Sequence, residues 1–341
     1  MCDLFFCIKY LLSSYILVGD IVLKKMSIRK IIMATFTLMV LLILCLIDKN
    51  DKEIELDTSN IEYIYSNMLD SIYLLDKNDY VALTSITTCD CDIIDKSKDL
   101  LNGLIIDGAK SAIIPNGFRS IIPTGTSILD VKLDNKVLTV NFSKELLDIS
   151  SEYEEAMIES IVYTLTSIEG IDKVNIQVEG KELTKLPHSK KNIPTSLDKS
   201  YGINKVYDIN NTKDIDSITL YYVNSYNDNK YYVPVTKYIN NDSQDKIKVI
   251  IEQLSNSLTY ESNLMSYLSD SAKLLDYEID DKTIKLNFNN MILSDISSNN
   301  ILEEVVYTIG YSINEVVDVD EVVFYVNNEK ICNFLLKWLD Y

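Results

Sequence analysis

Between residues 129 and 142 (LDVKLDNKVLTVNF) apolar side chains fall on alternate positions, first Leu129, Val131 and Leu133, then Leu138, Val140 and Phe142. That is the period of a strand with one buried face. Residues 275–288 (LDYEIDDKTIKLNF) repeat the pattern at a constant offset of 146 positions, with Leu129/Leu275, Asp130/Asp276, Asp134/Asp280, Lys136/Lys282, Asn141/Asn287 and Phe142/Phe288 identical. Between the two runs of each copy lie Asp134-Asn135 and Asp280-Asp281, residue types that tolerate the left-handed backbone of a tight turn. Each copy is predicted to be a β-hairpin with Phe142 or Phe288 at the end of its core stripe.

The flanking patterns repeat as well. Met157, Ile161, Leu165 and Ile168 fall three or four apart, as do Leu302, Val305, Val306, Ile309 and Ile313, so a helix with an apolar stripe follows each hairpin. Strands over 173–183 and 321–331 come next. Upstream, Ser71–Leu75 and Tyr80–Thr87 predict another hairpin, matched by 217–223 and 231–239, where Pro234 points to an edge or a bulge. A helix bearing Leu100, Leu101, Leu104 and Ile105 ends near Gly108, with Ile247, Ile250, Ile251 and Leu254 marking its counterpart. Each domain therefore reads β-β-α-β-β-α-β, an α+β sheet with helices on one face. The predicted domains span 71–183 and 215–332. A linker, 184–214, carries Pro187, Pro194 and Gly202.

The turn Ile122-Pro123-Thr124-Gly125-Thr126, the hairpin closing on LTVNFS (138–143), the helix with IVYTLTSIEGI (161–171) and the strand VNIQVEG (174–180) resemble the GerMN domain of sporulation and germination proteins. The second copy lacks the Pro-Gly turn and keeps Tyr307-Thr308 of the helix signature. The resemblance implies a ring-building-motif-like fold and a part in endospore formation. It further implies contacts with other envelope proteins of a channel complex between mother cell and forespore, with self-association into a ring among them.

Ahead of the domains, residues 31–47 are 17 consecutive uncharged positions, preceded by Lys24, Lys25, Arg29 and Lys30 and followed by Asp48, Asp51 and Glu53. Such a helix is about 25 Å long against a hydrocarbon core of about 30 Å. A transmembrane or signal-anchor segment is predicted over 28–47, with positive charge inside and the domains outside the cytoplasm, then a stalk over 48–70. Cys45 is a disfavoured lipidation candidate because Leu44 precedes it. Residues 1–27 form an extension with Asp3, Lys9 and Asp20 in an apolar stretch, and Met26 is the expected initiator. An intact mass retaining residues 1–25 would refute that start.

Composition narrows the function. A hydrophobic content of 47% supports two cores, and 9 Gly with 5 Pro leave no long flexible linker. The net charge is −19; without residues 1–47, 27 basic side chains face 49 acidic ones. Nucleic acid is excluded as a partner by that balance.

Reactive chemistry has little footing. His188 is the one histidine and sits in a Pro-His-Ser-Lys linker setting, expected to be a solvent-exposed loop; no serine or cysteine lies in a nucleophile motif. Cys89 and Cys91 flank Asp90 and could chelate a soft metal or close a short disulfide outside the cytoplasm; a zinc site needs further ligands, and the pair reads as incidental. The acid pairs Asp90/Asp92, Glu154/Glu155, Asp280/Asp281 and Asp318/Asp320 read as turn and surface residues. No catalytic, cofactor-binding or metal residue is assigned, and no cofactor is expected. After the last strand, Ile331, Phe334, Leu335, Trp338 and Leu339 fall three or four apart, predicting a short amphipathic helix over the tail 333–341. Its Phe334, Leu335, Trp338 and Leu339 are candidates for capping the second domain or docking a partner. The expected function is a non-enzymatic, membrane-anchored extracytoplasmic protein making protein contacts. A glycan or small-ligand sensor using the 23 tyrosines, or an envelope hydrolase with converging acids, are the alternatives.

Overall fold

The computed structural model describes residues 61–64, 69–240, 245–256, 263–295 and 299–336, with Phe36, Leu38 and Met39 as helical positions of a separate N-terminal unit. No helix among the described residues is long and apolar enough to cross a membrane. The predicted extension, the span over 28–47 and Cys45 lie outside the described residues, apart from those three positions.

The strands are β1 (Ile61–Ile64), β2 (Asp70–Asp76), β3 (Val81–Ile86), β4 (Phe118–Arg119), β5 (Ile128–Asp134), β6 (Val137–Phe142), β7 (Lys173–Val178), β8 (Lys181–Glu182), β9 (Ser196–Leu197) and β10 (Val206–Asp208). They continue with β11 (Ile215–Tyr226), β12 (Asn229–Asn240), β13 (Leu274–Asp280), β14 (Thr283–Phe288), β15 (Leu293–Asp295), β16 (Asn300–Ile301), β17 (Glu321–Val326) and β18 (Glu329–Leu335). Four helices, α1 (Ile93–Leu104), α2 (Glu154–Thr166), α3 (Lys246–Ser255) and α4 (Glu303–Asn314), are interleaved with them. Asp92 caps α1 by accepting the Asp95 N–H at 2.9 Å, and Asp245 caps α3 through the Ile247 N–H.

Both copies of the repeated hairpin form, β5 with β6 and β13 with β14, with each turn one residue later than predicted, at Asn135-Lys136 and Asp281-Lys282, because Asp134 and Asp280 still pair in the ladder. Their two-residue turns place Asn135, Lys136 and Asp281 at φ of 48°, 63° and 53°. Phe142 and Phe288 are both fully buried. The inward stripe fails at its first member. A bulge lets Ile128 pair with Phe142 and Asp130 with Asn141, leaving Leu129 unmatched; Leu275 is skipped in the same way. These identical leucines are 50% and 51% exposed, because one extra residue sends the side chain to the other face.

After each hairpin a helix crosses over to a parallel strand, α2 leading to β7 beside β6 and α4 to β17 beside β14. Both helices are buried around most of their circumference, Glu159 and Glu304 included, as helices enclosed on several sides must be.

The expectation of one sheet per domain is corrected. The N-terminal hairpins leave their own repeats' sheets and join each other through the bridge Leu83↔Tyr232, giving a six-stranded sheet of β4, β2, β3, β12, β11 and β10. The remaining strands form one sheet in each repeat, β5-β6-β7-β8 with β9 on β7, and β1-β18-β17-β14-β13. Pro234 lies in β12, an interior strand, not at an edge. Within the predicted stalk, β1 runs parallel to β18, so a segment preceding the first repeat completes the sheet of the second.

The tail expectation is also corrected. Residues 329–335 are strand β18, so Phe334 and Leu335 are not helical. Phe334 is fully buried against Gly310 of α4, where a Cβ would come within 2.2 Å of its ring. Flanked by β17 and β1, this strand is covered on both edges, and such a strand can carry apolar residues at the three-to-four spacing of a helical stripe. A buried phenylalanine presents no anchor. Trp338 and Leu339 lie outside the described residues.

Candidate functional site at the junction of the repeats

The segment 184–214, predicted as a linker, holds the repeats together. Pro234 has no N–H to continue a ladder, and beyond the Leu83↔Tyr232 bridge the side chain of Asn204 takes the place of a strand. Its Oδ1 accepts the Val81 N–H at 3.0 Å while its Nδ2 donates to the carbonyls of Val81 (2.8 Å) and Pro234 (2.7 Å). The Asn204 N–H donates to Glu159 on α2 at 2.9 Å. Beside it, Lys205 donates to Glu155 and Glu159, both at 2.7 Å, and lies over the Tyr201 ring. Burial raises the Glu159 carboxyl above its ordinary range even against the pull of Lys205.

Corresponding residues of the two repeats meet one another here. Tyr73 and Tyr221 are 148 positions apart, and their backbone N–H groups donate to Thr164 and Ser312, which are also 148 apart, at 3.0 and 2.9 Å. The two hydroxyls are 3.1 Å from each other. Asp76 and Asn224, again 148 apart, are joined by a bond from Asn224 Nδ2 at 2.9 Å. A residue touching its own counterpart is the mark of an isologous, two-fold arrangement. The carboxylate of Asp76 is fully buried and also accepts from Tyr231 Oη and the N–H groups of Asn78 and Tyr80. This set of donors satisfies both oxygens of the buried side chain.

An open polar cleft of about 1200 Å³ lies along the seam, with Tyr73, Tyr221, Lys96 and Glu315 in its lining. Glu315 accepts from Tyr221 Oη at 2.9 Å and Lys199 Nζ at 2.8 Å. Burial, then the nearby Glu315 charge, push the Tyr221 hydroxyl well above its usual value. The turn lysines of the two repeated hairpins, Lys136 and Lys282, also line the cleft, pairing with Asp172 and Asp318.

Cys91 lines the cleft too. The incidental reading of the two cysteines gives way to its disfavoured alternative, since Cys89 and Cys91 are joined in a disulfide. The acid pairs are dispersed. Glu154 accepts from the backbone of His188 and Ser189, Glu155 binds Lys191 and Lys205, and Asp281 occupies a hairpin turn. His188 turns its ring nitrogen to the Ile149 carbonyl. Sequence reasoning missed Asn204, Asp76 and the Tyr73/Tyr221 pair. The available signal for the tyrosines was their equal offset within matched strands; Asn204 had none beyond following Gly202.

The family profile described as Germane, sporulation and spore germination, matches residues 71–184 and 219–332. Spore germination protein GerM of Bacillus subtilis (strain 168) is 32% identical over 278 residues, covering 80% of this chain and 75% of that protein. The solved structure of the tandem GerMN domains of the sporulation protein GerM from Bacillus subtilis superposes with a TM-score of 0.71 at 31% identity, covering 77% of this chain and 92% of that one. With two α+β repeats arranged as in that structure and a profile match over both, the chain belongs to the Germane (GerMN) family.

Proposed function

We propose that this protein is a membrane-anchored, extracytoplasmic sporulation or germination protein, and that its tandem repeats act without catalysis as one rigid body for protein contacts in an envelope complex. The observation carrying this reading is the junction, where a shared sheet and the Asn204 staple hold the repeats in one fixed orientation. A fixed pair presents composite surfaces that neither repeat has alone. The cleft acids Glu315, Asp172 and Asp318 are engaged by lysines, which suits a structural seam better than acid-base work. Kinship with proteins of sporulation and germination supplies the setting, and the apolar run 31–47 supplies the anchor. Crosslinking in sporulating cells, followed by capture of the tagged full chain, tests the reading. Enrichment of other envelope proteins, lost when Asn204 is replaced, is the expected result; a chain recovered alone from the cytoplasmic fraction overturns it.

A second reading, cell-wall glycan binding, draws on the stacked pair Tyr207 and Tyr238, with ring centroids 4.8 Å apart and Tyr207 61% exposed. Titration with muropeptides, wild type against Tyr207→Ala, separates the two readings.

A further inference from the structure

The disulfide Cys89–Cys91 encloses a single residue, Asp90, in the loop from β3 to α1. A cross-link this short constrains the unfolded chain less than any longer one, and it ties together no two elements of the fold. Cys89 is exposed, and Cys91 is partly buried in the lining of the inter-repeat cleft. Exposed disulfides of this kind are the exchangeable ones. The surrounding charge is acidic. Within residues 87–99, Asp90, Asp92, Asp95 and Asp99 outnumber Lys96 and Lys98. Lys96 is paired with Asp70 and Lys98 with Asp95, while Asp99 is met by Lys110. Asp90 and Asp92 have no salt bridge among the described residues. The remaining cysteine of the folded region, Cys332, is buried in β18 and its thiol is pushed up to about 12 by burial, which removes it as an internal competitor.

We infer that the Cys89–Cys91 pair, of which Cys91 lines the cleft, is a thiol–disulfide exchange site taking a cysteine carried on a basic polypeptide segment. The incoming thiolate attacks Cys89 Sγ, the accessible sulfur. A new disulfide forms between the partner and Cys89 as the Cys89–Cys91 bond breaks, and the electron pair leaves on Cys91 Sγ as a thiolate, which takes a proton from water. One disulfide and one thiol stand on each side, so no oxidant is required. The released Cys91 immediately precedes the N-cap of α1, where the helix end favours negative charge. In the reverse step Cys91 attacks Cys89 Sγ and frees the partner. A cleft of about 1200 Å³ admits a peptide segment, and the acids around the loop select a cationic one.

The test uses the full chain in detergent solution and two short peptides, each with one cysteine and distant flanking lysines or glutamates. Rates are normalised to each thiol's exchange with a small disulfide, and adducts are mapped by mass spectrometry. The lysine peptide is expected to form a mixed disulfide at Cys89, with Cys91 newly alkylatable. It should react about tenfold faster than the glutamate peptide at low salt, with the difference fading as salt rises. Cys91→Ser, loaded with the peptide as its disulfide, should keep the adduct that wild type expels. Absence of any adduct before the fold is lost, equal rates for the two peptides, or undiminished reaction in a folded Cys89→Ser/Cys91→Ser chain would each overturn the inference.

Discussion

The two repeats solve the same closing problem differently. In the first, the strand after β7 is only β8, two residues long, and β9 from the connecting segment takes up the rest of that edge. In the second, β17 is followed by the seven-residue β18, itself covered by β1. The helix beneath records the difference. Val162 on α2 corresponds to Gly310 on α4, 148 positions later, and only at Gly310 does a phenylalanine from the closing strand press on the helix. The glycine is there for close approach. The copies thus diverge where each sheet is completed, while the repeated hairpin and its buried phenylalanine stay alike.

The hairpin gives the severest test of that likeness. Phe142→Ala and Phe288→Ala should each cost about 3–5 kcal/mol, and because the repeats share a sheet, each should lower one common melting transition. Two separate transitions by calorimetry would show that the shared sheet does not couple them. Next comes Gly310→Val, which installs the first repeat's residue. Overpacking against Phe334 should cost about 1–3 kcal/mol or more, and Phe334→Leu in the same chain should recover part of it; denaturant titration reads both. An unchanged midpoint would refute the account of the glycine.

Asn204→Ala leaves buried backbone groups of Val81 and Pro234 without partners, a cost of about 1–3 kcal/mol. Hydrogen exchange should rise along the seam between β3 and β12 and leave the core of β6 and β14 protected. The smallest effect concerns pH. Burial works to raise the Glu155 carboxyl, but Lys205 and Lys191 outweigh it and hold the group below the ordinary carboxylate value. Its stabilising contribution is therefore complete above the unfolded value, about 4.3, and is lost as pH falls through the lower folded value. Glu155→Gln should melt earlier than wild type at pH 7, with the gap closing in acid. A gap that widened in acid would reverse the assignment.

The periodicities carried the local elements well, because each hairpin and helix is specified by side chains a few residues apart. Leu129 was misplaced because a bulge adds one residue without altering composition, and the alternation by itself has no mark for it. The tail failed for a related reason. Ile331, Phe334 and Leu335 fit a helical stripe as readily as a strand covered on both edges, and the covering strand, β1, lies some 270 positions earlier. The shared sheet was hidden likewise, since Leu83 and Tyr232 are joined by nothing local. The junction depends on single polar residues whose partners lie far along the chain: Asn204 reaches Val81, 123 positions away, and Asp76 reaches Tyr231, 155 positions away. No pattern of hydrophobic spacing encodes such bonds.

The parallel pairing of β1 with β18 also settles how a mechanical load enters the molecule. A pull on the N-terminal side does not reach the first repeat directly; it arrives at β1, which is laid alongside the last strand of the second repeat over four residue pairs, Ile61↔Cys332 through Ile64↔Leu335. Drawn along its own axis, the strand loads these pairs in shear, all at once, where a strand drawn sideways would unzip them one by one. Tension at the start of the chain is thereby borne first by its end.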